Sequence, residues 1–542
     1  MNNYANPPCE PYDWRQGIYN IKRFDITRRD IIFSVILLLV SLLMSFIGIA
    51  GGFKSGFYVT LILFSAAATA YLFPKHRKTG AFPLCCMILS LLVGLSLVLT
   101  TNVPVIMLSI ISFIILNFTW LFSLVSESEE KGDLGIIKNI FKPFINGIIY
   151  NMEPTVLSLI SVGKKRQLTN ILIGLASAIP VVSVIVPLLM SSDEAFSGMM
   201  ELLFGNFLIT VIKFVIGIVI ALILISYCFT LSKDELPKEV ESDFKGVENI
   251  VLTSFLSAVA VCYLAYMFSQ FAYFFSAFSG FLPDGYKFTV AVYARRGFFE
   301  MSMIAGINFL LIFAAILISK KNNGKSCIPV RIICCFIAVF TLIIIATAIS
   351  KMFLYISCFG MTRLRMVTSA FMIFLCIVFF ALIIRIFLPK VRVLRVAFIS
   401  SALVLIVLGC VNVNSFVAKY NYTSYKNRDL KEIDIKTIYD LGYEGVPYLI
   451  KLSSDENEQV AYDANQQLYR VLNERGFIKI SENDGNYKIK YNFDGINNPF
   501  NFCLPESVAL KELKVYVKNN ADDLLEQYKK EKTYYTDTDY LY

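Results

Sequence analysis

Ile332-Ile-Cys-Cys-Phe-Ile-Ala-Val-Phe-Thr-Leu-Ile-Ile-Ile-Ala-Thr-Ala-Ile-Ser350 carries no charge, and its only hydroxyls belong to Thr341, Thr347 and Ser350. About 20 apolar residues in a helix cross a hydrocarbon layer about 30 Å thick. Similar blocks lie on both sides of it. They are Ile31–Ile49, Phe57–Phe73, Phe82–Thr100, Val103–Val125, Ile171–Met190, Leu208–Leu231, Ile250–Phe275, Phe299–Ser319, Val367–Leu388 and Val396–Phe416. The pattern predicts an all-α polytopic membrane bundle of about eleven transmembrane helices with a small α+β soluble C-terminal domain.

Five regions follow from these blocks: an N-terminal segment 1–30, four spans in 31–125, an amphipathic stretch 126–169, seven more spans in 170–417, and a soluble domain 418–542. Composition agrees. The chain has 542 residues, 56% hydrophobic and 17% charged, against about 45–50% and 25% for soluble chains. One soluble core cannot hide such an excess. No small-residue cleavage site follows the first block, so it is expected to remain as an anchor.

The net charge of +9 is spread over short loops, where it orients a protein in the bilayer. No basic stripe interleaved with aromatics is present, so nucleic acid is not an expected partner. Arg15, Lys22, Arg23, Arg28 and Arg29 precede the first span, and Lys75, Arg77 and Lys78 follow the second. Lys320, Lys321, Lys325 and Arg331 follow the eighth, and Lys390, Arg392 and Arg395 the tenth. The alternate loops hold little beyond Lys54, Thr101–Asn102 and the acidic Ser191–Glu201. A multi-pass protein of the cell membrane with a cytoplasmic N-terminus and an extracytoplasmic C-terminal domain satisfies this bias.

Most cysteines lie inside apolar blocks and no C-x-x-C pair occurs, so neither a disulfide framework nor a zinc site is indicated. The single histidine, His76, sits between Lys75 and Arg77. No Walker loop, H-E-x-x-H or G-x-S-x-G pattern appears. No cofactor, metal or catalytic residue is expected. Asp193 and Glu194 are adjacent carboxylates of a generic loop.

Residues Leu134, Ile137, Ile140, Phe141, Phe144, Ile145 and Ile148 recur at helical spacing, with Pro143 expected to kink the helix. It reads either as a basic amphipathic helix on the inner leaflet or as a helix packed under the bundle. In the tail, Asp434 is expected to cap a short helix ending near Gly442, and Ser454 or Asp455 one reaching about Arg475. Phe477–Ile480 and Tyr487–Phe493 alternate across Asn483-Asp484-Gly485 like a hairpin. A last helix is expected over about Glu506–Lys530.

Two outward loops break the charge rule. One holds Arg295, Arg296 and Glu300, the other Arg363 and Arg365. Cations at a bilayer edge are costly unless paired or hydrated, and Arg grips phosphate or carboxylate with a planar fork of donors. These residues form either an anion or lipid-headgroup pocket, with Glu300 holding its geometry, or a set of Arg–Glu pairs that anchor helix ends. Lys213 either snorkels to the interface or lines a solute path. Pro180 and Pro187 kink the fifth span, as packing or as a hinge. Asn117, Gln270, Asn308, Asn412 and Asn414 are expected to bond between helices.

The stretches Tyr293-Ala-Arg-Arg-Gly-Phe-Phe-Glu300, Thr362-Arg-Leu-Arg365, Asn412-Val-Asn-Ser-Phe-Val-Ala-Lys-Tyr-Asn421 and Leu441-Gly-Tyr-Glu-Gly-Val-Pro447 resemble the bacterial multi-pass family called domain of unknown function 4173. The resemblance implies a bacterial envelope membrane protein, would cover the chain from about the fourth span to Leu449, and carries no activity with it. The residues therefore leave three classes open: a non-enzymatic scaffold or lipid- and solute-handling protein, a transporter, and a membrane transferase or sensor subunit. The bilayer is the one firm partner; an anionic headgroup or small anion is the further expectation, and protein partners are unknown.

Overall fold

The computed structural model describes residues 26–75, 80–125, 135–160, 185, 188–193, 196, 198–199, 207–232, 247–279, 298–320, 326–483, 486–493, 501–521 and 523–526. The helices begin with α1 (Arg28–Gly51), α2 (Ser55–Leu72), α3 (Ala81–Gly94), α4 (Ser96–Leu99), α5 (Val103–Val125), α6 (Gly135–Tyr150) and α7 (Met152–Ile160). There follow α8 (Phe207–Ser232), α9 (Asn249–Ser279), α10 (Phe298–Ile318), α11 (Ile328–Phe359), α12 (Arg363–Phe387) and α13 (Val393–Val411). The tail holds α14 (Val413–Lys426), α15 (Ile435–Asp440), α16 (Val446–Leu452), α17 (Glu458–Glu474), the strands β1 (Ile478–Asn483) and β2 (Asn486–Tyr491), and α18 (Leu504–Asn519).

Among the described residues, 10 helical segments are long and apolar enough to cross a membrane. They match ten of the expected spans. The remaining one, Ile171–Met190 with Pro180 and Pro187, falls almost wholly outside the described residues. The only sheet among the described residues is the antiparallel pair β1–β2. The chain is an all-α polytopic membrane bundle with a small mixed domain at its C-terminal side.

Two compact units divide the chain. The first comprises Met1–Leu42 and Phe144–Lys233. Its described helices bury large side chains such as Leu37, Tyr227 and Phe229 and also join through small polar ones. Ser34 and Ser158 hydroxyls lie 2.8 Å apart, and Asn151 Nδ2 donates to Thr230 Oγ1 at 2.8 Å. Ser226 Oγ donates to the Gly147 carbonyl, and a Cβ on Gly147 would meet the Ser226 carbonyl oxygen at 3.1 Å. Small residues let backbones approach where lipid offers no hydrophobic drive between helices. Along α6 itself, Ile137, Phe141, Ile145 and Ile148 form an exposed apolar stripe, and the helix continues through Pro143.

The second unit comprises Leu43–Pro143 and Asp234–Tyr542. One part of it packs α9–α12 around Ala305, Ile312, Ile337, Ala338, Phe379 and Leu382. A buried polar thread crosses it: Tyr263 Oη donates to Asn308 Oδ1, and Asn308 Nδ2 donates to Thr341 Oγ1 at 2.8 Å. Another part packs α2–α5 with α13. There Asn117 Nδ2 donates to Ser65 Oγ at 2.6 Å, and Trp120 Nε1 to Thr69 Oγ1 at 3.1 Å. Asn117 and Asn308 thus bond between helices, as their positions predict.

Four boundaries differ from the expectation. The helix begun at Ile328 runs through Lys351 to Phe359, because a single charge near a helix end does not break backbone hydrogen bonding. The last span stops at Val411, where Asn412 adopts φ 52° and its side chain caps the next helix by accepting from Ser415 N. The long tail helix is capped by Asn457, whose Oδ1 accepts from Gln459 N and Val460 N, not by Ser454 or Asp455. Asp434 does cap its helix, accepting from Thr437 N at 3.1 Å. The helix α18 ends at Asn519, where the sequence predicts one longer helix to about Lys530, and residues 521 and 523–526 beyond it are again helical.

The tail domain's buried Ile438, Leu449, Leu452, Ala464, Leu468, Leu472, Leu510 and Leu513 form one hydrophobic cluster with Val105 of α5 and Leu408 of α13. Gly445 admits no side chain: a Cβ there would lie 2.0 Å from the Ile438 carbonyl oxygen.

Candidate functional site

Alternate helix ends of the second unit gather in two groups. In one, Val247 N donates to the Ile318 carbonyl at 2.8 Å and Lys320 Nζ bonds Glu248 at 2.8 Å. Arg331 Nε donates to the Ile386 carbonyl at 3.1 Å, and the Arg395 guanidinium lies 4.5 Å from the Phe82 ring. In the other group, three interhelical loops meet the tail domain.

The first loop contact is peripheral: Lys54 Nζ lies 2.5 Å from Glu506 Oε2, and Ser55 N donates to the Phe502 carbonyl at 3.4 Å. The second is the centre of the joint. Glu444, only 4% exposed, accepts from Thr101 N at 3.0 Å and from Thr101 Oγ1 at 2.6 Å. Asn102 Nδ2 donates to Asn414 Oδ1 at 3.0 Å, while Asn414 Nδ2 donates to the Leu441 carbonyl at 3.2 Å. Asn412 Nδ2 donates to the Leu99 carbonyl at 2.9 Å. The third contact is a two-pronged clamp. Asn421 Oδ1 accepts from Met361 N at 2.7 Å, and Asn421 Nδ2 donates to the Met361 carbonyl at 2.8 Å. Gly360 makes room for it with φ +72°, and a Cβ there would sit 2.7 Å from Asn421 Oδ1. Buried polar groups are tolerated when each finds a partner; here nearly all of them do.

Immediately after this clamp stand Arg363 and Arg365, in the first turn of α12. Thr362 caps the helix by accepting from Arg365 N. Arg365 is consumed locally: Nη1 donates to the Phe359 carbonyl at 3.1 Å and also to the Gly360 carbonyl, with the guanidinium 4.0 Å from the Tyr355 ring. Free carbonyls at a helix C-terminus attract a cation, so Arg365 is a cap for α11. Arg363 is different. It is exposed, and among the described residues its guanidinium has no hydrogen bond or ion pair. It lines a cleft of about 420 Å³ with Asn102, Pro104, Thr362, Leu364, Val367, Thr437, Asp440 and Leu441. The cleft therefore has walls from an interhelical loop, from α12 and from the tail domain.

Of the other expected site residues, Arg295 and Arg296 lie outside the described residues, as do Pro180 and Pro187. Glu300 is in the first turn of α10, its side chain also outside them. Lys213 lies in the second turn of α8, in the first unit, and is partly buried. Sequence reading assigned Asn412 and Asn414 to interhelical bonding; they bond instead to the loop 99–102 and to Leu441. Glu444, Asn421 and Thr101 were not singled out. The signal available was a carboxylate between two glycines, Gly442-Tyr-Glu-Gly445, a turn too tight to expose it.

Fold and joint define a class: a multi-pass membrane protein whose C-terminal domain is fixed to three of its interhelical loops. A family model described as domain of unknown function (DUF4153) matches residues 58–452. The chain belongs to that family, a domain of unknown function as its motifs imply, under a different number from the 4173 family that they resemble. The match begins in α2, well before the fourth span, and ends with α16, so it contains Thr101, Asn412, Asn414, Asn421 and Glu444. Comparison with curated proteins and with solved structures gives no match.

Proposed function

We propose that this protein is a non-enzymatic membrane protein of the bacterial envelope that captures an anionic group, a lipid headgroup or small solute, in the cleft headed by Arg363. The observation that carries the reading is the contrast between the two arginines. Arg365 spends its donors on carbonyls of α11, whereas Arg363 presents an unpaired planar fork to a cleft of about 420 Å³. An unpaired guanidinium at a bilayer edge is retained at a cost unless something pairs with it. Arg295, Arg296 and Glu300 remain part of the proposal as further members of the same pocket.

We infer that the cleft faces the extracytoplasmic side. Supporting this, the loops that meet the tail domain are poor in Lys and Arg, with Lys54 alone among residues 52–54, 100–102 and 360–362. The loops at the other helix ends carry Lys75, Arg77, Lys78, Lys320, Lys321, Lys325, Lys390 and Arg392. Cytoplasmic loops are the basic ones.

The test uses the purified full chain in neutral detergent, with inorganic phosphate and a soluble short-chain phosphatidic acid as probes. A hydrogen bond to a charged group contributes about 1.5–3 kcal/mol, so Arg363→Gln is expected to weaken binding about 10- to 100-fold. Arg365→Gln is expected to lower thermal stability with little change in affinity. Unchanged binding in Arg363→Gln overturns the proposal.

A further inference from the structure

Further along α12 from the Arg363 cleft, side chains of α12 and α13 line a second depression of about 490 Å³. Its lining is Ala370, Ile373, Ile377, Ile399, Leu403 and Val407 with their neighbours, and its one hydroxyl, Ser400, already donates to the Ala397 carbonyl. Ile373, Leu403 and Val407 are 54%, 49% and 59% exposed, so the groove opens sideways toward the lipid.

Cleft and groove follow one another on the same helix face. Arg363 and Val367 line the cleft, and Ala370 and Ile377 line the groove. Steps of four, three and seven residues return to one face of an α-helix. Val367, Ala370, Val404 and Leu408 also share one hydrophobic cluster, so the floor of the cleft is the head of the groove. At 1.5 Å per residue, Val367 to Ile377 is roughly 15 Å, half of a hydrocarbon core about 30 Å thick. The apolar part is one leaflet deep.

The polar end carries two charges. Asp440 is exposed, makes no hydrogen bond or ion pair among the described residues, and lines the same cleft as Arg363. A purely anionic headgroup would meet this carboxylate unfavourably. A headgroup bearing both a phosphate and an ammonium satisfies both side chains.

We propose that the cleft and groove together seat one zwitterionic aminophospholipid, with its phosphate on Arg363, its ammonium at Asp440 and an acyl chain between α12 and α13. This rests on the anion-capture reading above and adds the identity of the occupant. The groove commits the site to a lipid rather than to a free phosphate.

The experiment uses the full chain in nanodiscs holding phosphatidylethanolamine with a photoactivatable diazirine midway along one acyl chain, or phosphatidylglycerol with the same chain. Crosslinks mapped by mass spectrometry are expected to concentrate on Ile373, Ile377, Leu403 and Val407, at least fivefold above the lipid-facing residues of α9. Arg363→Gln is expected to abolish the concentration for both lipids, and Asp440→Asn to abolish the preference for the ethanolamine lipid. Leu403→Trp, at a lipid-exposed position, is expected to remove the groove crosslinks while leaving inorganic phosphate binding unchanged. Even labelling over all lipid-facing helices overturns the seat. If that occurs while Arg363→Gln still loses phosphate binding, the anion cleft survives without it. Equal labelling by the two lipids in the wild-type chain overturns the zwitterionic assignment. If Arg363→Gln changes neither labelling nor phosphate binding, both proposals fall together.

Discussion

Replacing Glu444 by alanine tests whether the joint holds the tail domain to the bundle. The wild-type carboxylate accepts from the backbone and the hydroxyl of Thr101 at 3.0 and 2.6 Å, and the residue is 4% exposed. Hydrogen bonds to a charged acceptor contribute about 1.5–3 kcal/mol each, and a buried donor left unpaired costs about 1–3 kcal/mol. Two bonds are lost, but the Thr101 hydroxyl can turn to another acceptor and water can enter the space left by the side chain. A net loss of about 2–4 kcal/mol is therefore expected. Local opening of the joint would rise by about 30- to 800-fold, since 1.4 kcal/mol is a factor of ten. Native-state hydrogen exchange reads this directly, in the peptides covering 99–105 and 435–452. Glu444→Gln keeps one acceptor oxygen for the Thr101 N–H, and its amide can donate to a reversed hydroxyl, so less than half the effect is expected. Exchange in Glu444→Ala within threefold of wild type at both peptides would refute the reasoning, as would an equal effect of Gln and Ala.

Other expectations follow from particular side chains. Gly445→Ala would place a methyl 2.0 Å from the Ile438 carbonyl oxygen; backbone cannot yield that far, and loss of the folded tail domain is expected by near-UV circular dichroism and proteolysis. Cys503 is buried, and burial, with the carboxylates of Glu444 and Glu506 nearby, pushes its thiol up to about 12. Maleimide at pH 7.5 should leave it unmodified in the native protein and modify it after unfolding, as mass spectrometry would show. Burial likewise pushes the Tyr516 phenol up to about 12. The folded state thus disfavours both anions, so this stability is complete below pH about 9 and is lost as pH rises toward 12; a flat melting temperature from pH 8 to 11.5 would contradict it. At Asp455, burial raises the carboxyl, but Lys426 Nζ at 2.6 Å, the Asn457 N–H and the Tyr425 hydroxyl together bring it below its ordinary value. Its contribution is present above pH about 4 and fades as pH falls through the depressed value, so Asp455→Asn should flatten the acid limb of the melting curve. Lys436→Cys, exposed on α15, should react with an impermeant maleimide in intact cells beyond the wild-type background, and reaction only after lysis would reverse the proposed orientation.

The bundle was legible because a span is a property of contiguous composition: nothing beyond Ile332–Ser350 is needed to see that α11 crosses a membrane. Its far end was not, since Lys351 interrupts the apolar run without interrupting the helix. Caps were readable where one residue was chemically suited, as at Asp434, and ambiguous where Ser454, Asp455 and Asn457 stood within one turn of each other. The arginines were visible as violations of a charge rule, but sequence gives no direction to a side chain. Only the turn at Gly360 aims Arg365 back at α11 and leaves Arg363 to the cleft. The joint was the least legible part, because Thr101 and Glu444 are separated by 343 positions and neither residue is unusual by itself. The resemblance pointed to an uncharacterised family, under a different number from the one that matches, while the role of Asn412, Asn414, Asn421 and Glu444 in the joint required the contacts.

The Asn421 clamp has a mechanical consequence. It ties α14 to Met361, one residue before the cap Thr362 and two before Arg363. Two opposed hydrogen bonds to the N–H and the carbonyl of a single residue resist both sliding and rotation, so α14 acts as a rigid lever on the N-terminus of α12. A load on the tail domain would reach the guanidinium within one helical turn, and tightening at the guanidinium would be felt by the domain.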